Sequence, residues 1–215
     1  MGQATAPKVE EDPRVGRTRR VVLDATIDLL VEGGYGAVTV EAVAARSGVA
    51  KSTIYRHWPG RLELVNDAFH ELKPPVPLSC DGDVRDRVIV LLENLAQNVA
   101  ASTWSSCLPS LIAAAERDVE ARQVHCQASQ SGRQTLVDLL EEGRANGELP
   151  ARADPEVLAD ALAGPIFLRR LMFPAPLEPA VVPHLVDQVL GPRPVAPPTG
   201  ADQAAAAGGP DTTTT

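Results

Sequence analysis

No run of about eighteen apolar residues, the least that crosses a bilayer as a helix, occurs in this 215-residue sequence. A transmembrane helix is therefore not expected. The opening stretch, MGQATAPKVEEDPRVGRTRR, carries charges and prolines where a signal peptide needs an apolar segment. Ala6 stands where a myristoylation motif requires Ser or Thr. Together these absences lead to the expectation of a cytoplasmic protein. Cysteine is scarce as well. Cys80, Cys107 and Cys126 are odd in number and widely spaced, with no CxxC pair, which suits neither a zinc site nor a secreted disulfide framework. The plain expectation is three reduced, partly buried thiols, with a thiol-responsive function as the alternative. Strand signals are nearly missing, since no sustained apolar/polar alternation occurs. Catalytic signatures are missing too. There is no Ser/His/Asp order, HExxH or GxGxxG and no clearly spaced carboxylate pair, and the chain has only four histidines. The expectation is a non-enzyme without cofactor or metal.

The chain does carry charge, unevenly placed. A net charge of −8 has the wrong sign for a nucleic-acid binder. Between Pro13 and Lys73, however, nine Lys and Arg face seven Asp and Glu, giving +2. Between Pro74 and Gly191 nine face sixteen, giving −7. Basic character gathers in the first segment, where phosphate contact is expected, and the acidic remainder should face away from DNA.

The order of elements reads as all-α. Residues 1–12 and the Pro-, Gly-, Ala- and Thr-rich tail 192–215 are expected to be disordered. A first helix spans Arg17–Glu32, with Leu23, Ile27, Leu30 and Val31 on one face, and stops at Gly33-Gly34. Thr39 caps a second, Val40–Arg46. Ser47-Gly48 makes a turn, Lys51–His57 forms a third, and after Pro59-Gly60 a fourth runs over Arg61–Leu72. Lys73-Pro74-Pro75 marks the boundary between a unit over 13–73 and a helical unit over 74–191. Helices of the second unit are expected near 82–102, 105–117, 119–146, 154–173 and 178–190. Pro109 is expected in the first turn of its helix, Asp154-Pro155 as a start signal, and Gly164-Pro165 as a kink.

The segment VTVEAVAARSGVAKSTIYRHWPGRLELV is the most informative. Two short helices joined by a Gly-containing turn form a helix-turn-helix, whose second helix enters the major groove. Such a helix must be short, exposed and rich in side chains that reach phosphates and base edges. Lys51, Ser52, Thr53, Tyr55, Arg56 and His57 supply that within seven residues, while Ile54 and Trp58, four apart, share a face as core anchors. Tyr55 and His57 also suit ordinary core or surface roles. Arg17, Arg19 and Arg20 read equally as a basic arm on DNA or as a simple helix start.

From Arg17 to Leu72 the chain resembles the DNA-binding domain of the tetracycline-repressor (TetR) family. The shared features are the helix ending at Gly33-Gly34-Tyr35, then TVEAVAARSGVAKSTIYRHW, then a helix opening at Arg61. LPSLIAAAERDVEARQ and LAGPIFLRRLMF resemble one of that family's C-terminal ligand-binding domains. The resemblance implies that Thr39 binds phosphate through its hydroxyl and the free N–H groups of a helix start. It implies that Lys51, Ser52 and Thr53 approach base edges or phosphates, and that Tyr55 and His57 contact phosphates while Arg56 reaches either. Arg61, where the family usually has lysine, would hold a phosphate. Ala50 stands where many relatives have a capping serine, so that helix end lacks a side-chain cap.

The resemblance further implies a homodimer on a pseudo-palindromic operator and a small-molecule effector. Dimerisation would use the last two helices, with Val157, Ala161, Leu168, Leu171 and Met172 in an apolar band. The effector pocket would be lined by Trp104, Cys107, Leu108, Leu111 and Phe167, with His125, Gln127 and Arg169 as polar candidates. Two alternatives stay open beside this repressor: a helical protein-interaction module and a thiol-responsive regulator.

Overall fold

The computed structural model describes residues 13–73, 82–173, 175 and 177–192. The expected disordered arm 1–12, the tail beyond residue 192, Cys80 and the Pro74-Pro75 boundary lie outside the described residues. Among the described residues there is no strand. Nine helices occur there: α1 (Pro13–Gly33), α2 (Val40–Ser47), α3 (Lys51–His57), α4 (Arg61–Leu72), α5 (Val84–Ala101), α6 (Thr103–Ala115), α7 (Val119–Ala145), α8 (Pro155–Met172) and α9 (Val182–Leu190). Tyr35–Ala37 and Pro179–Val181 are single 3₁₀ turns. None of these helices is long and apolar enough to cross a membrane.

Local chemistry sets the breaks. Val22, Leu23 and Leu30 of α1 are buried while Asp24, Asp28 and Glu32 stay exposed. Thr26, also buried, satisfies its hydroxyl by donating to the Val22 carbonyl at 2.8 Å. Gly34 ends α1 with φ +70, and a Cβ there would come within 2.8 Å of the Ser110 Cβ on α6. The position thus needs glycine for both backbone and space. Thr39 caps α2 by accepting from the Ala42 N–H. Gly48, at φ +68, turns the chain into α3, which begins at Ala50 without a side-chain cap, as the sequence suggests. In the second half Asp83, Ser102, Asp118 and Asp154 cap α5 to α8.

Helices α2 and α4 pack on α1, and α3 packs on α2. The 27-residue α7 touches α4, α5, α6 and α8. One continuous apolar core runs from Val22 to Val186 through both halves of the chain.

Pro109 departs from expectation. Helix α6 starts at Thr103, so the proline sits mid-helix rather than in the first turn. A mid-helix proline leaves the carbonyl four residues earlier without its amide partner. Here that carbonyl belongs to Ser105, and Arg170 of α8 reaches it at 3.4 Å while holding the Ser105 hydroxyl at 3.0 Å. An arginine remote in sequence makes the proline tolerable. Helix α8 continues through Gly164-Pro165 as one element.

The crossing of α5 and α7 depends on Gly143. A Cβ there would meet the buried Val84 at 2.8–3.0 Å, with no open space to move into. Gly143→Ala is expected to destabilise the protein by about 1–3 kcal/mol through overpacking. Gly16→Ala, in α1 with nothing near the new methyl, should instead stabilise by roughly 0.5–1 kcal/mol. Thermal unfolding of the two variants side by side checks both signs.

Candidate nucleic-acid interface

The polar face of α3 is built by what lies beneath it. Ile54 is fully buried and Trp58 nearly so, at 1% exposure. The Trp58 indole N–H donates to Asp67 Oδ2 on α4 at 2.7 Å. Asp67 also takes Arg19 of α1 at 2.9 Å, and the Arg19 guanidinium lies 5.6 Å from the Trp58 ring centre. Two helices, α1 and α4, therefore hold the end of α3 through Trp58. Lys51, Ser52, Tyr55, Arg56 and His57 are left exposed and Thr53 half-buried.

The contacts on this face are weak and exchangeable. Lys51 Nζ meets Glu41 Oε1 at 2.7 Å, with both side chains more than half exposed. Such pairs contribute little in water, so a phosphate could replace Glu41 at small cost. Among the described residues Arg56 reaches only the Thr53 hydroxyl, at 3.4 Å. Tyr55 is 49% exposed, a phenol presented to solvent. The Thr39 hydroxyl accepts from Ala42, which leaves its own O–H free to donate to an anion. The open reading of the N-terminal arginines divides: Arg17 and Arg20 are exposed, whereas Arg19 is an internal brace for Trp58.

Arg61 is used differently from the expectation of a phosphate clamp. Its guanidinium stacks 4.2 Å over the Tyr35 ring, pairs with Asp118 Oδ2 at 2.5 Å and approaches Glu120 Oε2 at 3.5 Å. It ties the start of α4 to the start of α7, and its pKa is raised by Tyr35 and Asp118 against the cost of burial. Asp118 in turn is held below the usual carboxylate range by the Ala121 N–H and by Arg61. A guanidinium committed to two carboxylates and a ring is a joint between halves of the molecule, not a free anion ligand.

A cavity of about 550 Å³ lies among α5, α6, α7 and α8. Trp104, Leu108 and Phe167 are on its wall as expected, and the Trp104 and Phe167 rings meet edge-on at 6.5 Å. Cys107 and Leu111 are buried but not on that wall. The correction follows from helical spacing: Trp104, Leu108 and Ile112 recur every four residues on one face of α6, and Cys107 and Leu111 belong to the next face round. Of the polar candidates His125 lines the cavity. Gln127 instead accepts from Asn66 at 2.5 Å, and Arg169 is exposed. Polar wall residues not foreseen are Lys73, Asn94, Asn98, Ser129, Arg133 and Asp160. Burial pushes the Cys107 thiol up, which suppresses thiolate and makes it a poor redox sensor. Cys126 is exposed.

The expected dimer residues share one feature. Val157 (62%), Leu168 (52%), Leu171 (39%) and Met172 (72%) are large apolar side chains open to solvent, and Ala161 is exposed between them. They form a stripe along α8. Leu171 also borders the cavity. The apolar face of α9, by contrast, is spent internally, with Val182 and Val186 fully buried.

Comparison with known proteins adds an independent line. Residues 22–68 match the family described as bacterial regulatory proteins, tetR family. Residues 80–189 match the tetracyclin repressor-like C-terminal domain. The chain is similar to the HTH-type transcriptional regulator YdeS of Bacillus subtilis, 35% identical over 74% of this chain and 81% of that one. It is similar to the DNA-binding transcriptional repressor TetR of Mycobacteroides abscessus, 27% identical over 81% of this chain and 93% of that one. Among solved structures it resembles the TetR family transcription regulator SCO0332, with a TM-score of 0.65 and 31% identity, covering 84% of this chain and 100% of that one.

Proposed function

The chain belongs to the tetR family of bacterial transcription regulators, and from that premise we propose that it is a ligand-responsive repressor which binds a pseudo-palindromic operator as a homodimer and releases it when an effector occupies the α5–α8 cavity. Residues 13–73 act as the DNA-binding unit and residues 74–191 as the sensing and dimerising unit. A protein that must meet the chromosome works in the cytoplasm. No observation favours an enzyme or a protein-interaction module.

One observation carries the reading. Ile54 of α3 and Trp58 at its end are sunk in the core, and the Lys, Ser, Tyr, Arg and His side chains of α3 face solvent. We assign Lys51, Ser52, Thr53 and Arg56 to base edges and adjacent phosphates, and Tyr55, His57 and Thr39 to phosphates. Arg61 is left out of this set because it already serves Asp118 and Glu120. A dimer would present two such helices about 34–36 Å apart, one DNA turn, or a multiple of it. Effector binding acts by favouring the conformation in which that spacing is wrong, which requires unequal affinity for the two states.

The test is an electrophoretic shift with the DNA upstream of the protein's own gene. Affinity should fall steeply as salt rises, because phosphate contacts release counterions. Lys51→Ala and Tyr55→Ala should each weaken binding by about tenfold or more, and Lys51→Ala should reduce the slope of log affinity against log salt by about one. If both variants shift DNA like the parent, α3 is not the reading helix.

A further inference from the structure

We propose that the cavity takes an amphipathic monoanion, an apolar body bearing a single carboxylate, and that Lys73 receives its head. The inference rests on the reading of the cavity as an effector site and names the chemistry of the effector. Four aliphatic and aromatic walls meet there, from Leu92, Leu108, Leu136 and Phe167, and a cavity of about 550 Å³ is of small-molecule size. An entirely apolar occupant would satisfy those walls. It would leave two polar groups unserved.

The first is Lys73. It lies just past the end of α4, and its side chain is laid over α7 so closely that a Cβ at Gly132 would touch Nζ at 3.5 Å. It lines the cavity, and its partner among the described residues is the Ser131 hydroxyl. An ammonium has three N–H donors, so one hydroxyl leaves it with spare donors and an unneutralised charge. Burial pushes its pKa down, the mark of a cation that has lost water without gaining an anion. The other cationic wall residue, Arg133, is in the opposite condition: Asp160 at 2.9 Å and Glu156 both hold it. Arg133 cannot take a further anion without releasing a carboxylate, whereas Lys73 can.

The second is the indole N–H of Trp104. This wall residue is only 7% exposed, and its nitrogen has no acceptor. A buried donor without an acceptor is costly; the nitrogen itself is closed off from the cavity, so an oxygen-bearing occupant meets it only if the ring shifts. Neither neighbouring amide takes this N–H: Asn98 donates to Asn94 at 2.9 Å, and no amide oxygen accepts from the indole. A cation, a carboxylate-free hydrocarbon and a multiply charged anion each fit these groups worse than a lipophilic acid does.

Isothermal titration of the full chain with dodecanoate, dodecanol and dodecyltrimethylammonium, each below its aggregation threshold, tests this directly. Dodecanoate should bind about tenfold or more tighter than dodecanol, as a charge-assisted hydrogen bond implies, and the ammonium should not bind measurably. Lys73→Gln should bring dodecanoate to within about twofold of dodecanol while leaving dodecanol unchanged, and Lys73→Arg should keep the preference. Equal binding of acid and alcohol by the parent, a preference that survives Lys73→Gln, or no binding of any of the three overturns the proposal. The ligand-free shift assay on the same preparations is indifferent to these results, so failure of the regulator reading is seen separately.

Discussion

Trp58→Ala is expected to destabilise the N-terminal helices by about 3–5 kcal/mol, the usual cost of deleting a buried Trp side chain, and to abolish operator binding with it. The indole is 1% exposed and lies where α1, α3 and α4 converge, touched by Arg19 and bonded to Asp67. Alanine leaves a cavity at the N-terminal end of the continuous apolar core. Against a typical total stability of about 5–15 kcal/mol, such a loss puts the binding unit near its unfolding midpoint. Trp58→Phe separates the two contributions. It keeps most of the volume and loses the bond to Asp67, worth only about 1 kcal/mol because Asp67 is 36% exposed and retains Arg19. Tyr55→Ala is the converse variant: at 49% exposure it should leave the melting temperature nearly unchanged while weakening DNA binding. Circular dichroism melts of the three variants, beside their shift assays, check the argument. A parent-like melt for Trp58→Ala would show that α3 is held by something other than its indole.

The helices that hold this arrangement were legible in the sequence where small residues punctuate it. Helices α3 and α4 begin and end where Gly48, Pro59 and Gly60 place them, because those residues act locally. The burial of Ile54 and Trp58 was legible for the same reason, since helical period alone puts them on one face. What escaped depends on partners remote in sequence. Arg61 reads as a phosphate ligand until folding brings Asp118 and Glu120 to it across 57 and more residues. Pro109 reads as a helix start until Arg170 is seen to serve the carbonyl it frees. Cys107 and Leu111 read as cavity wall because α6 is largely apolar, and period cannot say which side faces a void. In the sequence Lys73 marks only the boundary between the two units. Its interest lies in what surrounds it: its partner among the described residues is the Ser131 hydroxyl, while the wall's carboxylate, Asp160, is held by Arg133.

Leu168→Glu should convert a dimer into a monomer and lower operator affinity by about 10²–10⁴, the gain that linking two binding modules confers. Val157, Ala161, Leu168 and Met172 are spaced by four, seven and four residues, about whole turns of α8, and so share one face. Exposed apolar side chains are ordinary singly but in a continuous row mark an interface. Leu168 stands in the middle of the row at 52% exposure, so a carboxylate there is solvated in the monomer and costs the fold little. In a two-fold interface the same residue faces itself or its neighbours, and two glutamates would be buried together without partners. Light scattering should then give 22.7 kDa for the variant and twice that for the parent, with the melting temperature of the separated chain barely altered. The shift assay should show that the variant binds DNA only at concentrations where one half-site suffices. If the parent itself runs at 22.7 kDa at micromolar concentration, the stripe is not a dimer face. Two recognition helices on one operator would then have to be held together by the DNA alone.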